Sequence, residues 1–160
     1  MKRIRINSRA IEWGTGRDVG AVDIDWLARE FIALRLPKSE WTHEAHLRVG
    51  LWHALRYSEA DALDLLRARI RAYNEATGGV NSDSAGYHET ITRLYVVVIR
   101  DFVRTVDRGR SVDNLQHELI ERFGDRELPL RYFSRERLFS VEARLGWVEP
   151  DLRALPGMPP

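Results

Sequence analysis

Apolar residues recur at helical spacing through most of this 160-residue chain. Apolar side chains three and four positions apart cover one face of an α-helix, because the helix turns once in about 3.6 residues. Each such stretch follows a side chain suited to a helix N-terminus and ends near Gly or Pro. The pattern predicts five main helices and two short ones. The main helices begin after Asp23, after Ser39 or Thr42, after Ser58, at His88 and after Ser111, and the short ones after Ser134 and Ser140.

The two ends of the chain carry a weaker helical signal. Ile4 and Ile6 alternate with arginines, which predicts a short strand or an extended arm within residues 1–20. Residues 148–160 are rich in proline, which predicts an extended tail across the surface. We therefore expect an all-α fold, a helical bundle of four to five main helices with an irregular N-terminal arm and a proline-rich C-terminal tail. Residues 1–160 are predicted to form a single helical domain.

Charge and composition exclude several classes of partner. The chain has 25 basic and 24 acidic residues, well interspersed, so nothing favours nucleic acid or an anionic membrane. No apolar run approaches the roughly 20 residues that a spanning helix needs. The first residues lack the apolar core of a secretory signal, and the absence of cysteine excludes disulfides and thiolate chemistry. We expect a cytoplasmic protein whose partner is a small-molecule substrate or ligand; its oligomeric state stays open.

Four of the five histidines point toward the predicted core. With about 100° of rotation per residue, His43, His46 and His53 share the inward face of the second helix. His88 lies on the inward face of the fourth helix, whereas His117 points outward from the fifth. Buried polar rings need partners. Neutral imidazoles from two helices are a common way to hold a transition metal.

Axial spacing selects which of these rings could share one ion. His43 and His46 are separated by about 4.5 Å of helix rise, so both can reach the same ion. His53 lies roughly 10.5 Å beyond His46 and could only hydrogen-bond a ligand or a bound water. The predicted ligand set is therefore His43, His46 and His88. It would hold one transition metal ion, which could be Zn, Fe, Cu or Mn.

Three imidazoles leave coordination positions open for a substrate. We expect Tyr95 and Thr92 to lie near those positions and Tyr87 at the rim, as candidate catalytic residues. Glu44 and Glu89 project sideways, each in a first helical turn where an acidic side chain favours the helix dipole. The H-E-x-H sequence at 43–46 lacks the spacing of zinc proteases. These carboxylates are therefore expected to be structural.

Two functions are compatible with this pattern. The first is a metal-dependent enzyme, hydrolytic or oxidative, with a three-histidine site between two helices and an unknown substrate. The second is a non-catalytic ligand-binding or interaction bundle whose histidines form a metal-free polar network. A pocket between the second and fourth helices would serve either function. The sequence contains none of the glycine-rich nucleotide-binding motifs and no G-x-S-x-G serine-hydrolase motif.

Two histidine-bearing segments resemble those of a protein family. W-T-H-E-A-H-L at 41–47 and G-Y-H-E-T-I-T at 86–92 are similar to segments of uncharacterised small bacterial helical proteins, as is the stretch at 132–144. That resemblance implies no particular reaction. A looser similarity is to DinB/YfiT-like bundles, which implies a three-histidine metal site. Those bundles use an H-x3-H pair from a late helix, whereas this chain has H-x2-H on an early helix, so a different topology is expected.

Overall fold

The computed structural model describes residues 22–107 and 109–157, and the regular structure within them is entirely helical. This confirms the predicted all-α helical bundle; the predicted arm at 1–20 lies outside the described residues. None of these helices combines the length and the apolarity needed to cross a membrane. The helices are α1 (Ile24–Ile32), α2 (His43–Ala54), α3 (Glu59–Ala76), α4 (Glu89–Thr105), α5 (Val112–Phe123), α6 (Arg135–Leu138) and α7 (Val141–Leu145), with 3₁₀ turns at Lys38–Glu40 and Leu128–Arg131.

Short polar side chains determine where most of these helices begin. The Asp23 carboxylate accepts a hydrogen bond from the Trp26 N–H at 2.9 Å, and the Ser58 hydroxyl accepts one from the Asp61 N–H at 3.1 Å. Each cap satisfies a backbone donor that the helix itself leaves free. The caps that the sequence predicts are confirmed at Asp23, Thr42, Ser58, Ser111, Ser134 and Ser140.

The central helix of the bundle is α4, which packs against α2, α3 and α7. Leu94 and Val98 belong to a buried cluster with the C-terminal segment. Val96 packs with residues of α1, α2 and α3, and Ile99 packs with residues of α1, α2 and α5. Between residues 94 and 99 of this helix only Tyr95 is not buried, so this part of the helix can be apolar around most of its circumference. This explains why the three consecutive valines at 96–98 lie in a helix, as predicted, although they would also suit a strand.

Helix α1 ends earlier than the sequence predicts. The apolar pattern extends to about Leu36, but the helix ends at Ile32 and Leu34 adopts a left-handed φ of 60°. That conformation turns the chain so that the Leu36 N–H donates to the Glu30 carbonyl at 3.2 Å, which satisfies a free carbonyl of the last turn. Leu36 is then buried, and its own carbonyl accepts the Tyr73 hydroxyl at 2.9 Å.

The described chain after α7, up to residue 157, contains no helix. Half of its residues are exposed, but Val148 and Leu155 are buried in the same cluster as Leu94 of α4. The Asp151 carboxylate accepts hydrogen bonds from the N–H and the hydroxyl of Ser134, at 2.7 and 2.6 Å. The segment is therefore anchored to the bundle by apolar contacts and by a charged hydrogen-bond acceptor.

Candidate functional site

A cavity of about 460 Å³ lies between α2, α3 and α4. Its size falls within the range of roughly 300–1,000 Å³ that small-molecule sites occupy. Most of the side chains that line it are apolar, as in a hydrophobic core. These apolar residues include Leu47 and Val49 of α2, Leu66 and Ile70 of α3, and Ile91 and Ile99 of α4.

Gly50 allows α2 and α4 to approach each other beside the cavity. A Cβ atom at this position would lie 2.7 Å from Cδ1 of Ile99, which is closer than two carbon atoms pack. Glycine in a helix interior costs about 1 kcal/mol relative to alanine. Its place on the inward face of α2 is therefore explained by the close contact with α4, and it leaves space around the neighbouring histidines.

Two buried polar atoms beside the cavity have no hydrogen-bond partner among the described residues. They are Nε2 of His43 and the hydroxyl of Tyr95, and both residues line the cavity. Their rings meet edge to face, with centroids 5.6 Å apart. An unsatisfied buried polar group costs about 1–3 kcal/mol. Two such groups on adjacent rings of the cavity lining are candidate hydrogen-bond partners for a molecule that reaches them.

His46 is held in one orientation on the same side of the cavity. Its Nδ1–H donates to the Thr42 carbonyl at 2.7 Å, and its ring lies against that of Trp41, with centroids 3.8 Å apart. This leaves Nε2 as the nitrogen with a free lone pair. The ring is accessible within the open cavity, yet the surrounding protein lowers the pKa of His46 to about 4 by desolvation. The imidazole is therefore neutral at pH 7.

Arg126, in the segment after α5, brings a positive charge to the cavity. It is exposed, and no ion pair joins it to any residue of 22–107 or 109–157. Burial lowers the pKa of His43; the nearby Phe123 carbonyl opposes this shift, and the charge of Arg126 adds to it. Burial raises the pKa of Tyr95 to about 12, so its hydroxyl stays protonated and can donate a hydrogen bond. Sequence reasoning missed Arg126 because it lies outside any periodic segment.

His88 caps α4 and does not join His43 and His46. Its Nδ1 accepts the Ile91 N–H at 3.3 Å, and its Nε2–H donates to the Leu138 carbonyl at 2.9 Å. Both ring nitrogens are therefore used, and His88 is not part of the cavity lining. Within the described ranges no three His, Cys, Asp or Glu side chains lie close enough together to hold a metal ion. The predicted ligand set of His43, His46 and His88 is not brought together.

His53 is fully hydrogen-bonded at the other end of α2. Its Nδ1–H donates to the Val49 carbonyl at 2.7 Å, and its Nε2 accepts from the Arg69 guanidinium at 2.6 Å. The residue is completely buried, and this burial lowers its pKa to about 4. His53 therefore joins α2 to α3 as a neutral ring and does not line the cavity. His117 is exposed, in agreement with its predicted outward face.

Of the three candidate catalytic residues, Tyr95 and Thr92 line the cavity and Tyr87 does not. The Tyr87 hydroxyl is buried and donates to Glu89 at 2.8 Å. Glu89 also accepts two hydrogen bonds from the Arg67 guanidinium, at 2.9 and 2.5 Å. The sequence predicted that Glu89 projects sideways with a structural role; the carboxylate is buried because α3 places Arg67 over it. These three residues form a structural ion-pair network outside the cavity.

Comparison of this chain with protein families, with curated protein sequences and with solved structures finds no match. The resemblance of the histidine-bearing segments to small bacterial helical proteins and to DinB/YfiT-like bundles therefore stays a prediction. Any assignment of function depends on the cavity between α2, α3 and α4, and on the polar groups that lie beside it.

Proposed function

We propose that this protein binds a small organic molecule in the cavity between α2, α3 and α4. The observation that carries the proposal is the pair of unpartnered buried atoms, His43 Nε2 and the Tyr95 hydroxyl, at a cavity with mainly apolar walls. Small-molecule sites usually have this composition, with apolar walls for affinity and a few converging polar groups for orientation. The ligand would pack against α3 and α4 and hydrogen-bond to these two rings.

The contrast between Tyr95 and Tyr87 supports a role in binding. The Tyr87 hydroxyl contributes to folding because it donates to Glu89. The Tyr95 hydroxyl has no partner within the described structure, so phenylalanine at this position would fill the same space without the cost of an unsatisfied group. The Tyr95 hydroxyl is therefore available to hydrogen-bond a bound molecule.

The proposal is tested by a nuclear magnetic resonance titration of isotope-labelled protein with a library of small aromatic and branched aliphatic compounds. We expect some of them to shift the backbone signals of Gly50 and Tyr95 in a saturable way. Ile91→Phe should abolish these shifts, because the larger ring occupies the cavity, whereas Ile32→Phe on α1 should not. The proposal fails if no compound shifts the signals of Gly50 or Tyr95 in the folded wild-type protein.

A metal-dependent enzyme, the first function predicted from the sequence, is a second candidate. The observation that favours it is His46, whose Nδ1–H donates to a backbone carbonyl and leaves Nε2 free. This is the usual arrangement of a metal-bound histidine. His43 Nε2 is the other candidate ligand. Water or substrate would have to complete the coordination in place of His88, whose ring nitrogens are both bonded elsewhere.

Equilibrium dialysis of untagged protein against Zn²⁺, and separately against Mn²⁺, tests this second candidate. About one bound equivalent is expected if the histidine pair holds an ion. His46→Ala should then lose it, while His117→Ala, which changes an exposed ring, and His88→Gln should keep it. Loss of metal from folded His88→Gln would favour the original set of three histidines. The absence of bound metal in the wild type would leave organic-ligand binding as the proposed function.

A further inference from the structure

The charged groups around the cavity are unevenly paired. Two carboxylates lie near it, but each already has an arginine partner. Asp125 pairs with Arg131 at 3.0 Å, and Glu44 pairs with Arg48 at 3.0 Å. Arg126 lines the cavity and has no such partner among the described residues. The opening of the cavity therefore carries one positive charge that is not paired with a carboxylate of residues 22–107 or 109–157.

Among the polar groups that line the cavity, His46 Nε2 is a hydrogen-bond acceptor, whereas Arg126 and the Tyr95 hydroxyl are donors. The guanidinium of Arg126 can only donate. The Tyr95 hydroxyl is protonated at neutral pH and has no acceptor among the described residues. Within the described part of the chain, no aspartate or glutamate belongs to the lining. A molecule that satisfies this arrangement must supply acceptors and a negative charge at one end, and an apolar surface at the other.

We propose that the ligand is a small organic carboxylate with an aromatic or branched apolar body. This inference rests on the proposed binding function and names its ligand class. The carboxylate would lie between Arg126 and Tyr95, and the apolar body would extend along Leu66, Ile70 and Ile91. A single guanidinium balances a single negative charge, and its planar fork matches the two oxygens of a carboxylate. A phosphate dianion would leave one charge without a partner.

The experiment compares two molecules that differ only at the head group, 2-naphthylacetate and the uncharged 2-naphthylacetamide. Their dissociation constants are measured by isothermal titration calorimetry at pH 7.5, with sodium acetate as the head group alone. We expect the carboxylate to bind at least about tenfold more tightly than the amide, since a charge-assisted hydrogen bond is worth about 1.5–3 kcal/mol. Acetate should not bind measurably, because it has no apolar body.

Arg126→Gln should remove most of this tenfold preference, because it weakens the binding of the carboxylate and leaves the binding of the amide unchanged. Because Arg126 is exposed, the variant should fold, which near-ultraviolet circular dichroism checks. Arg104→Gln is the matched control, since it removes the same charge from an exposed position of α4 that does not line the cavity. It should keep the preference of the wild type.

The possible outcomes separate this inference from the proposed function. Equal binding of the two naphthyl compounds would overturn the carboxylate assignment and leave the binding function standing. A preference that survives Arg126→Gln would overturn the role of this arginine. Binding of neither compound, together with no response in the titration of the compound library, would overturn both proposals.

Discussion

Buried polar side chains are bonded differently in two regions of this molecule. In the cavity region, defined by His43, His46 and Tyr95, the His43 Nε2 atom and the Tyr95 hydroxyl have no partner in the described structure. In the bonded region, defined by His53, His88, Tyr87, Glu89, Arg67 and Arg69, ring nitrogens, hydroxyl and carboxylate are all hydrogen-bonded.

Both regions contain histidines of α2 that helical periodicity places on its inward side, so residue type and helical face do not distinguish them. The two regions differ in whether the hydrogen bonds of their buried polar groups are complete. A buried group whose bonds are complete contributes to folding and has little to offer a ligand. A buried group with an unused bond beside open space costs stability in the free protein and can contribute affinity when a ligand binds. The comparison yields four predictions about stability.

The largest loss is expected from Arg67→Leu in the bonded region. The change leaves the buried Glu89 carboxylate with only the Tyr87 hydroxyl as partner. Because the Arg67 side chain is itself 35% exposed, we expect a loss of about 3 kcal/mol, at the lower end of the cost of breaking a buried ion pair. Urea denaturation at pH 7 measures the free energy of unfolding. Arg131→Leu, which breaks the exposed pair with Asp125, is the control and should cost less than about 1 kcal/mol. Equal losses would contradict the structural role of Glu89.

The next largest difference in the free energy of unfolding is expected between alanine substitutions of one histidine in each region. His53→Ala should cost about 2–3 kcal/mol, because it leaves a void in the core and removes the acceptor of Arg69. His43→Ala should cost less than about 1 kcal/mol, because its ring borders space that is already open and its Nε2 is unbonded. The same urea titration measures both. If His43→Ala is as destabilising as His53→Ala, the two regions do not differ in their contribution to stability.

The stability of the protein should fall as the pH falls below about 6.5. Burial lowers the folded-state pKa of His53 to about 4, so in this interval the unfolded chain binds a proton that the folded chain does not. Between pH 7 and pH 5 this histidine alone should remove up to about 2 kcal/mol of unfolding free energy. The His53→Gln protein should show a smaller loss over the same interval. An unchanged pH dependence would mean that His53 ionises in the folded state.

The smallest effects are expected from removing single hydroxyls. Tyr87→Phe should cost about 1 kcal/mol, because Glu89 loses a hydrogen bond. Tyr95→Phe should change stability by no more than about 0.5 kcal/mol in either direction, because its hydroxyl has no partner to lose. Thermal unfolding of both variants and of the wild type measures these changes in stability. A clear loss in Tyr95→Phe alone would show that its hydroxyl is already satisfied in the free protein.

Most of the fold could be predicted from the sequence because its signals are local. A capping residue such as Ser58 or Ser111 and an apolar stripe at helical spacing determine each helix without reference to distant residues. The end of α1 was predicted less well, since the left-handed turn at Leu34 allows Leu36 to meet Tyr73 of α3. That contact joins residues far apart in sequence, so no local pattern indicates it.

The candidate site was only partly predictable, for two physical reasons. The rotation of 100° per residue applies inside a helix, but His88 is the N-cap and has an extended backbone with φ −135° and ψ 109°. Its ring direction therefore does not follow the helical wheel, and the predicted third metal ligand points toward Leu138. Arg126 was missed because only the packing of the loop after α5 brings it to the cavity. His43, Thr92 and Tyr95, which lie within helices, were placed together by periodicity and do line one cavity.

The anchoring of the C-terminal segment has a consequence for how the protein forms during synthesis. Leu155 belongs to the same buried cluster as Leu94 and Val98, although about 60 residues of chain separate it from Leu94. Until the ribosome has delivered the chain through Leu155, this cluster is incomplete and part of that side of α4 stays exposed to water. We therefore expect a nascent chain that stops before Val148 to be recognised by chaperones, because a partly formed core exposes apolar surface.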